Sequence, residues 1–226
     1  MERLQLREKE IFETLKMLHG VDFVLIGGYA VNAYALPGFS VDCDIVAYAN
    51  KVTSISAALQ KAGYSEAKYA VGLPYGGKFK RYVKILEKDI ETSVDLLIDG
   101  VYDRQSGATF TADWIFRNSR KMNFTGKTIT ERLGLRVINA DALFVMKFVC
   151  ARKTDIRDVF MMAGKVEDFA WMKQEIAKHT DFAAAFRKIE AEVSSARFKD
   201  NLQGVYGYLD EAVFQKHKKL LLSLAS

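Results

Sequence analysis

Cysteine is scarce in this chain of 226 residues: only Cys43 and Cys150 occur, both in apolar surroundings. No CxxC pair or Cys/His cluster accompanies them, which argues against a zinc centre and a disulfide framework and fits a reducing cytosol. The three histidines, His19, His179 and His217, fall in separate helical contexts. A histidine-based or nucleophilic-serine mechanism therefore has no support. No apolar run approaches the ~20 residues needed to cross a membrane. The charged start MERLQLREKE does not read as a signal peptide. A soluble, cytoplasmic protein with no membrane partner is expected. Repeats, low-complexity tracts and Pro/Ser-rich linkers are also lacking, so no composition shift marks a domain boundary.

What is present is ordinary for a globular protein: 50% hydrophobic and 27% charged residues, with ample length for a core. The net charge of +5 permits a polyanionic partner such as RNA, although proteins that bind none share such a balance.

The informative stretch is Phe23–Ala47, FVLIGGYAVNAYALPGFSVDCDIVA. Its apolar start predicts a buried strand over 22–26 that stops at Gly27-Gly28. A helix over 28–36, a Pro37-Gly38 turn and a strand over 41–47 follow. Side chains alternate along a strand, so Asp42 and Asp44 project to one side, and Val41, Cys43 and Ile45 to the other. Paired carboxylates repel unless a cation or proton sits between them. Hard oxygen ligands at that spacing suit Mg²⁺ (or Mn²⁺), which binds one or two carboxylates plus substrate phosphates. The two glycines allow backbone N–H groups to approach an anion at the start of the following helix.

Gly-Gly, thirteen intervening residues, then Asp-x-Asp in a strand resembles the signature of the nucleotidyltransferase (polymerase-beta-like) superfamily. The resemblance implies a third carboxylate on a later strand with apolar flanks, and Asp95 in TSVDLLI (92–98) matches it. It also implies an α/β (α+β) fold with a small mixed sheet flanked by helices. Residues 1–138 would form the catalytic core and 139–226 a helical C-terminal subdomain.

The rest of the chain fills in this plan. Leu4, Leu6, Ile11, Phe12, Leu15 and Leu18 predict an amphipathic helix over 2–18 ended by Gly20. A helix capped by Asn50 runs through Lys61, with Ile55, Ala58 and Leu59 buried. GLPYGGKFKR, with Gly72, Pro74, Gly76, Gly77, Lys78, Lys80 and Arg81, is either a loop over a triphosphate or a hairpin loop beside a solvated basic strand. Strands over 81–86 and 92–98 pair antiparallel, bringing Asp95 beside the first two strands. Asp99-Gly100 reads as a turn, Thr109–Asn118 as a short helix with Trp114 in the core, and Asn123–Val137 as a small hairpin. Helices are expected over 140–150, capped by Asn139 or Asp141, then 155–163, 166–178, 181–197 with Thr180 as cap, and 205–223.

Within 141–163, Lys147, Arg152, Asp155 and Asp158 form the pattern K-x4-R-x2-D-x2-D. This looks like the downstream motif of AbiEii-type nucleotidyltransferases, often toxins of toxin–antitoxin pairs. That likeness implies that Lys147 binds nucleotide phosphates and that the aspartates complete the site. Read without it, Lys147 snorkels, Asp155 caps the second helix and Asp158 lies on the surface. One departure stands out: where members often carry Arg-x-Thr before the aspartates, this chain has Gly38-Phe39-Ser40, keeping a hydroxyl but no charge.

The expected activity is transfer of a nucleoside monophosphate from an NTP to an acceptor hydroxyl by a two-metal mechanism. Asp42, Asp44 and Asp95 would be catalytic and metal-binding; Gly27, Gly28, Ser40, Lys147 and Asp158 would bind nucleotide. The acceptor is an RNA or tRNA end if Lys78–Lys84, Arg152, Lys153 and Arg157 line a basic cleft, and an aminoglycoside-like molecule otherwise. A non-catalytic nucleotide-binding module, partnered by an antitoxin protein, is the third possibility.

Overall fold

Phe23–Ile26 is apolar and β-branched enough to be buried on both faces, and the glycine pair after it ends the run. In the computed structural model, β1 (Val24–Ile26) is a fully buried strand that leads straight into α2 (Gly27–Val31). The structure describes residues 2–68, the backbone of 75–76, and residues 78–225. The chain divides into two compact units, Met1–Ala33 with Pro37–Ile138, and Tyr34–Leu36 with Asn139–Ser226.

The first unit is built on a mixed sheet. Its elements are α1 (Glu2–Met17), β1, α2, β2 (Asp42–Ala47), α3 (Val52–Lys61), β3 (Ser65–Glu66), β4 (Tyr75–Gly76), β5 (Phe79–Glu87), β6 (Ile90–Ile98), β7 (Gly100–Asp103), β8 (Thr109–Thr111), α4 (Ala112–Arg117), β9 (Ser119–Phe124) and β10 (Leu133–Ile138). Among the described residues seven strands run in the order β3-β5-β6-β2-β1-β10-β9, and β4-β7-β8 form a separate small sheet. β2 pairs parallel to β6 and antiparallel to β1, β5 pairs antiparallel to β6, and β1 pairs parallel to β10.

Register decides which side chains share a face. Leu25 stands opposite both Ile45 and Val137, and these apolar residues define one face. Phe12 of α1 meets Phe124 at 5.0 Å, and Phe124 stands opposite Leu133, two pleats from Val137. So α1 covers that apolar face, with Ile11, Phe12 and Leu15 essentially inaccessible. Each such burial is worth roughly 1.5–3 kcal/mol. One acid joins this packing: the buried Glu8 accepts from the backbone N–H groups of Lys127 and Thr128, which ties α1 to the loop before β10. Cys43 points into the same face, where burial pushes its thiol well above the usual range, so it is inert packing. Asp42 and Asp44 take the other face.

Several sequence expectations shift here. The helix after the glycines is one turn, ending at Val31 and not at Leu36. Asn32 stops it: its side chain bonds both the carbonyl (3.1 Å) and the N–H (3.0 Å) of Gly38, fastening the returning loop. α3 is entered through a 3-10 turn, Ala49–Lys51, and Asn50 is not its cap. The strand expected over 81–86 begins already at Phe79, so Lys80 lies in the sheet with Arg81, as the basic-strand alternative had it. Gly72, Pro74 and Gly77 of the expected glycine-rich loop lie outside the described residues. Asp99-Gly100 is a kink with positive φ at both residues, from which β7 starts the small sheet that sequence patterning did not suggest.

The second unit is helical: α5 (Ala140–Cys150), α6 (Lys153–Met162), α7 (Phe169–Ala177), α8 (Phe182–Val193), α9 (Phe198–Tyr206) and α10 (Glu211–Leu222). Side-chain caps explain the starts. Asn139 accepts from the Ala142 N–H at 2.8 Å and caps α5. Asp141 instead accepts from the N–H groups of Glu167 and Asp168 ahead of α7. Asp181, not Thr180, caps α8. The helix expected over 205–223 is broken: Gly207, at φ +89°, ends α9, and Asp210 caps α10. Aromatic rings fill the core, with Phe148 stacked on Phe182 at 5.2 Å and Phe160 between Phe198 and Phe214.

Candidate active site

Asp42 and Asp44 share the polar face of β2, and the parallel register sets Asp95 of β6 directly beside Asp44. Residues directly opposite in a ladder share a face. The same row continues outward, because Arg81 of β5 stands opposite Asp95, and inward, because Ile26, just before Gly27, stands opposite Asp44. Four adjacent strands thus present Arg81, Asp95, Asp44 and the start of the Gly-Gly turn in one line.

Gly27 is required at its position. Its φ is +68°, and a Cβ there would fall 2.0 Å from the Asp44 Oδ2. The backbone of the turn therefore lies against the Asp44 carboxylate. Gly28 fills the same role toward Ser40, whose Oγ would lie 2.8 Å from an added Cβ. The Ser40 hydroxyl donates to the Asp42 Oδ1 at 3.2 Å, and the Tyr29 hydroxyl reaches the Ser40 carbonyl at 3.4 Å. Gly27→Ala should cost about 1–2 kcal/mol from the left-handed backbone alone, and should also displace Asp44. Calorimetry of this variant should show no Mg²⁺-dependent NTP binding; unchanged binding would remove Gly27 and Asp44 from the site.

Asp95 is fully buried, and both its oxygens accept from Arg81, from Nε and Nη2 at 2.6 Å each. The Arg81 Nη2 also lies 3.8 Å from the Asp42 Oδ2. Burial pushes the Asp95 carboxyl above the usual carboxylate range, and its bonds to Arg81 offset part of that. Its bonds to Asp95 raise Arg81 above the ordinary arginine value. The ligand or base role expected of Asp95 requires Arg81 to move.

The donor set suits a hard divalent ion at Asp42 and Asp44, two carboxylates on one face beside the glycine turn. It does not reach three: no group of three or more His, Cys, Asp or Glu among the described residues could hold a metal ion.

Lys147 and Asp158 belong to the helical unit. The Lys147 ammonium lies 2.7 Å from Asp158 and 3.1 Å from Asp155, with its side chain 12% exposed. Burial acts to lower its pKa, but the Asp158 and Asp155 charges more than reverse this, leaving it above the ordinary lysine value. The Tyr206 hydroxyl donates to the Asp158 Oδ1 at 3.1 Å. Asp155 accepts from the Arg152 N–H at 3.3 Å, at the start of α6. The structure thus gives Lys147 two partners from its own unit.

Two residues of the first site escaped sequence reasoning. Arg81 was legible only as one cation in a basic segment; its spacing across the hairpin from Asp95 was the missed signal. Asn32 was legible as the one amide in the apolar stretch YAVNAY, but nothing local named Gly38 as its partner.

No protein-family model matches the chain, and no curated protein matches it. Solved structures do. An H. pylori protein classed provisionally as a nucleotidyltransferase superposes with a TM-score of 0.51 at 14% identity, over 99% of this chain and 95% of its own. The antibiotic-resistance factor ANT(2'')-Ia superposes in two structures. One gives a TM-score of 0.50 at 15% identity, over 84% of this chain and 95% of its own. The other, in complex with adenylyl-2''-tobramycin, gives 0.50 at 13% identity over 82% and 99%. On this likeness, and with its mixed sheet flanked by helices, the chain has the nucleotidyltransferase fold.

Proposed function

We propose that the chain is a metal-dependent nucleotidyltransferase that moves a nucleoside monophosphate from an NTP to an acceptor hydroxyl. The observation that carries this reading is the row formed by Gly27, Asp44 and Asp95, with Asp42 on the same face. Asp42 and Asp44 would hold a divalent ion, and the Gly27-Gly28 turn would let backbone N–H groups approach the triphosphate. Such an ion supplies Lewis-acid polarisation of the α-phosphate and charge neutralisation of the pyrophosphate leaving group. Ser40 fixes the Asp42 carboxylate, and Asn32 fixes the loop that carries Ser40. The two-metal form needs the Asp95 oxygens released from Arg81. Lys147 is paired with Asp158 within the helical unit, and this reading does not depend on it.

For the acceptor, a small hydroxylated molecule with cationic amines is favoured over an RNA end. Four of the basic residues that would flank RNA are engaged with acids: Lys80 with Glu66 and Lys84 with Glu10, each at 2.8 Å, Arg81 with Asp95, and Arg152 with Asp155 at 3.6 Å. Cations already neutralised release fewer counterions on binding a polyanion. ANT(2'')-Ia, a structural neighbour, is seen with adenylyl-2''-tobramycin. Incubation with each labelled NTP, Mg²⁺ and either an aminoglycoside panel or total tRNA tests this. Label is expected on a drug. Label on tRNA alone would favour the second reading, an RNA-modifying toxin with an antitoxin partner. Label on neither, with folded protein and bound NTP, would favour a non-catalytic module.

A further inference from the structure

Resting on the nucleotidyl-transfer reading, we propose that Arg81 is a resident cation that occupies the place of one metal ion beside Asp95. The site then takes a single divalent ion, on Asp42 and Asp44, together with its nucleotide.

Strand register, not the reach of a flexible side chain, brings Arg81 there. It stands opposite Asp95 in the β5–β6 ladder, in the row that continues to Asp44. Its neighbours by one pleat, Lys80 and Tyr82, fall on the opposite face, and the Lys80 and Lys84 ammonium groups are paired with Glu66 and Glu10. Arg81 is the cation of β5 that engages the aspartate face. It does so with two parallel bonds of 2.6 Å, the fork geometry that guanidinium offers a carboxylate and ammonium does not. The same Nη2, 3.8 Å from Asp42, spreads its charge over a second acid.

Charge counting points the same way. Before nucleotide binds, Asp42, Asp44 and Asp95 with Arg81 carry two net negative charges, which one divalent ion neutralises. Guanidinium does not lose its proton in any working range, so this cation is permanent. A second ion at Asp95 would have to break a bidentate pair on a fully buried carboxylate. It would also leave the guanidinium facing two cations. Removing one partner of a buried pair is among the costlier changes a protein can suffer. Arg81 thereby holds the Asp95 carboxylate fixed without a metal.

Counting bound Mn²⁺ tests this without turnover. The probe is the α,β-methylene analogue of each NTP, limiting, with Mn²⁺ bound per protein–nucleotide complex read from loss of the free-ion EPR signal. The wild-type protein is expected to bind one Mn²⁺ per complex. Arg81→Gln, which leaves the Asp95 oxygens for an ion, is expected to bind two. Arg81→Lys, which keeps the charge, is expected to stay at one. Two Mn²⁺ in the wild-type complex, or one in a folded Arg81→Gln protein, would overturn the proposal and leave nucleotidyl transfer standing. Should Arg81→Gln fail to fold, the wild-type count decides by itself. Absence of any nucleotide-dependent Mn²⁺ binding would overturn the nucleotidyl-transfer reading, and this proposal with it.

Discussion

Asp44→Asn is expected to lower nucleotidyl transfer by about 10³-fold, since metal polarisation is worth several kcal/mol and each ~1.4 kcal/mol is tenfold in rate. The protein should remain as thermally stable as before. Asp44 is 5% exposed and lies between the Gly27 turn on one side and Asp95 on the other. An amide of the same shape fits that slot and still accepts a hydrogen bond. It also removes one of three negative charges crowded on one sheet face, which relieves repulsion. Single-turnover rates with the labelled acceptor, alongside a thermal melt, check both parts. A variant that melts early would mean the Asp44 charge holds the fold. One that melts normally and turns over at the parent rate would mean the site lies elsewhere.

The second large effect is on stability and belongs to the helical unit. Lys147→Met should destabilise that unit by about 3–5 kcal/mol, the range for breaking a buried ion pair from one side. Asp155 and Asp158, each now within hydrogen-bond reach of the Lys147 ammonium, would face each other with no cation between them. Adding Asp155→Asn and Asp158→Asn should recover most of the loss. Neutral amides carry no such repulsion, and the amide oxygen introduced at position 155 can still accept from the Arg152 N–H. Urea denaturation of the single and triple variants measures this. The competing expectation is that Lys147 serves phosphate. Then Lys147→Ala would leave stability unchanged and weaken NTP binding by about 1.5–3 kcal/mol, the range for a hydrogen bond to a charged group. The two outcomes do not overlap.

The difference between the two constellations shows what local pattern can carry. Asp42 and Asp44 on one face of a strand follow from the two-residue repeat, and that repeat survives any tertiary arrangement. Lys147, Asp155 and Asp158 lie within twelve residues, close enough for their helix–turn–helix to bring them together, yet the pattern alone favoured separate roles. A lysine in an apolar helix looks the same whether its ammonium meets phosphate, solvent or two carboxylates. Desolvation and pairing decide among them, and both depend on which helices pack around it.

The helix after Gly27-Gly28 shows the limit in backbone terms. Tyr29–Leu36 has helical composition throughout, yet the helix ends at Val31, where the Asn32 amide bonds Gly38 six residues on. The break in the last helix was more legible, since Gly207 and Asp210 are ordinary stop and start residues. An apolar run and two-residue periodicity were sufficient for the strands over 22–26 and 41–47 and for putting Asp42 and Asp44 on one face, because burial of alternating apolar residues is a local requirement. The fold class and Asp95 came from the family resemblance, and the small sheet from neither. Only the tertiary structure could set Arg81 opposite Asp95. Strand register fixes that pair, and in the β5–β6 hairpin the register follows from the Lys88-Asp89 turn and the shift between Ile85 and Glu87, which the spacing of Arg81 and Asp95 does not by itself specify.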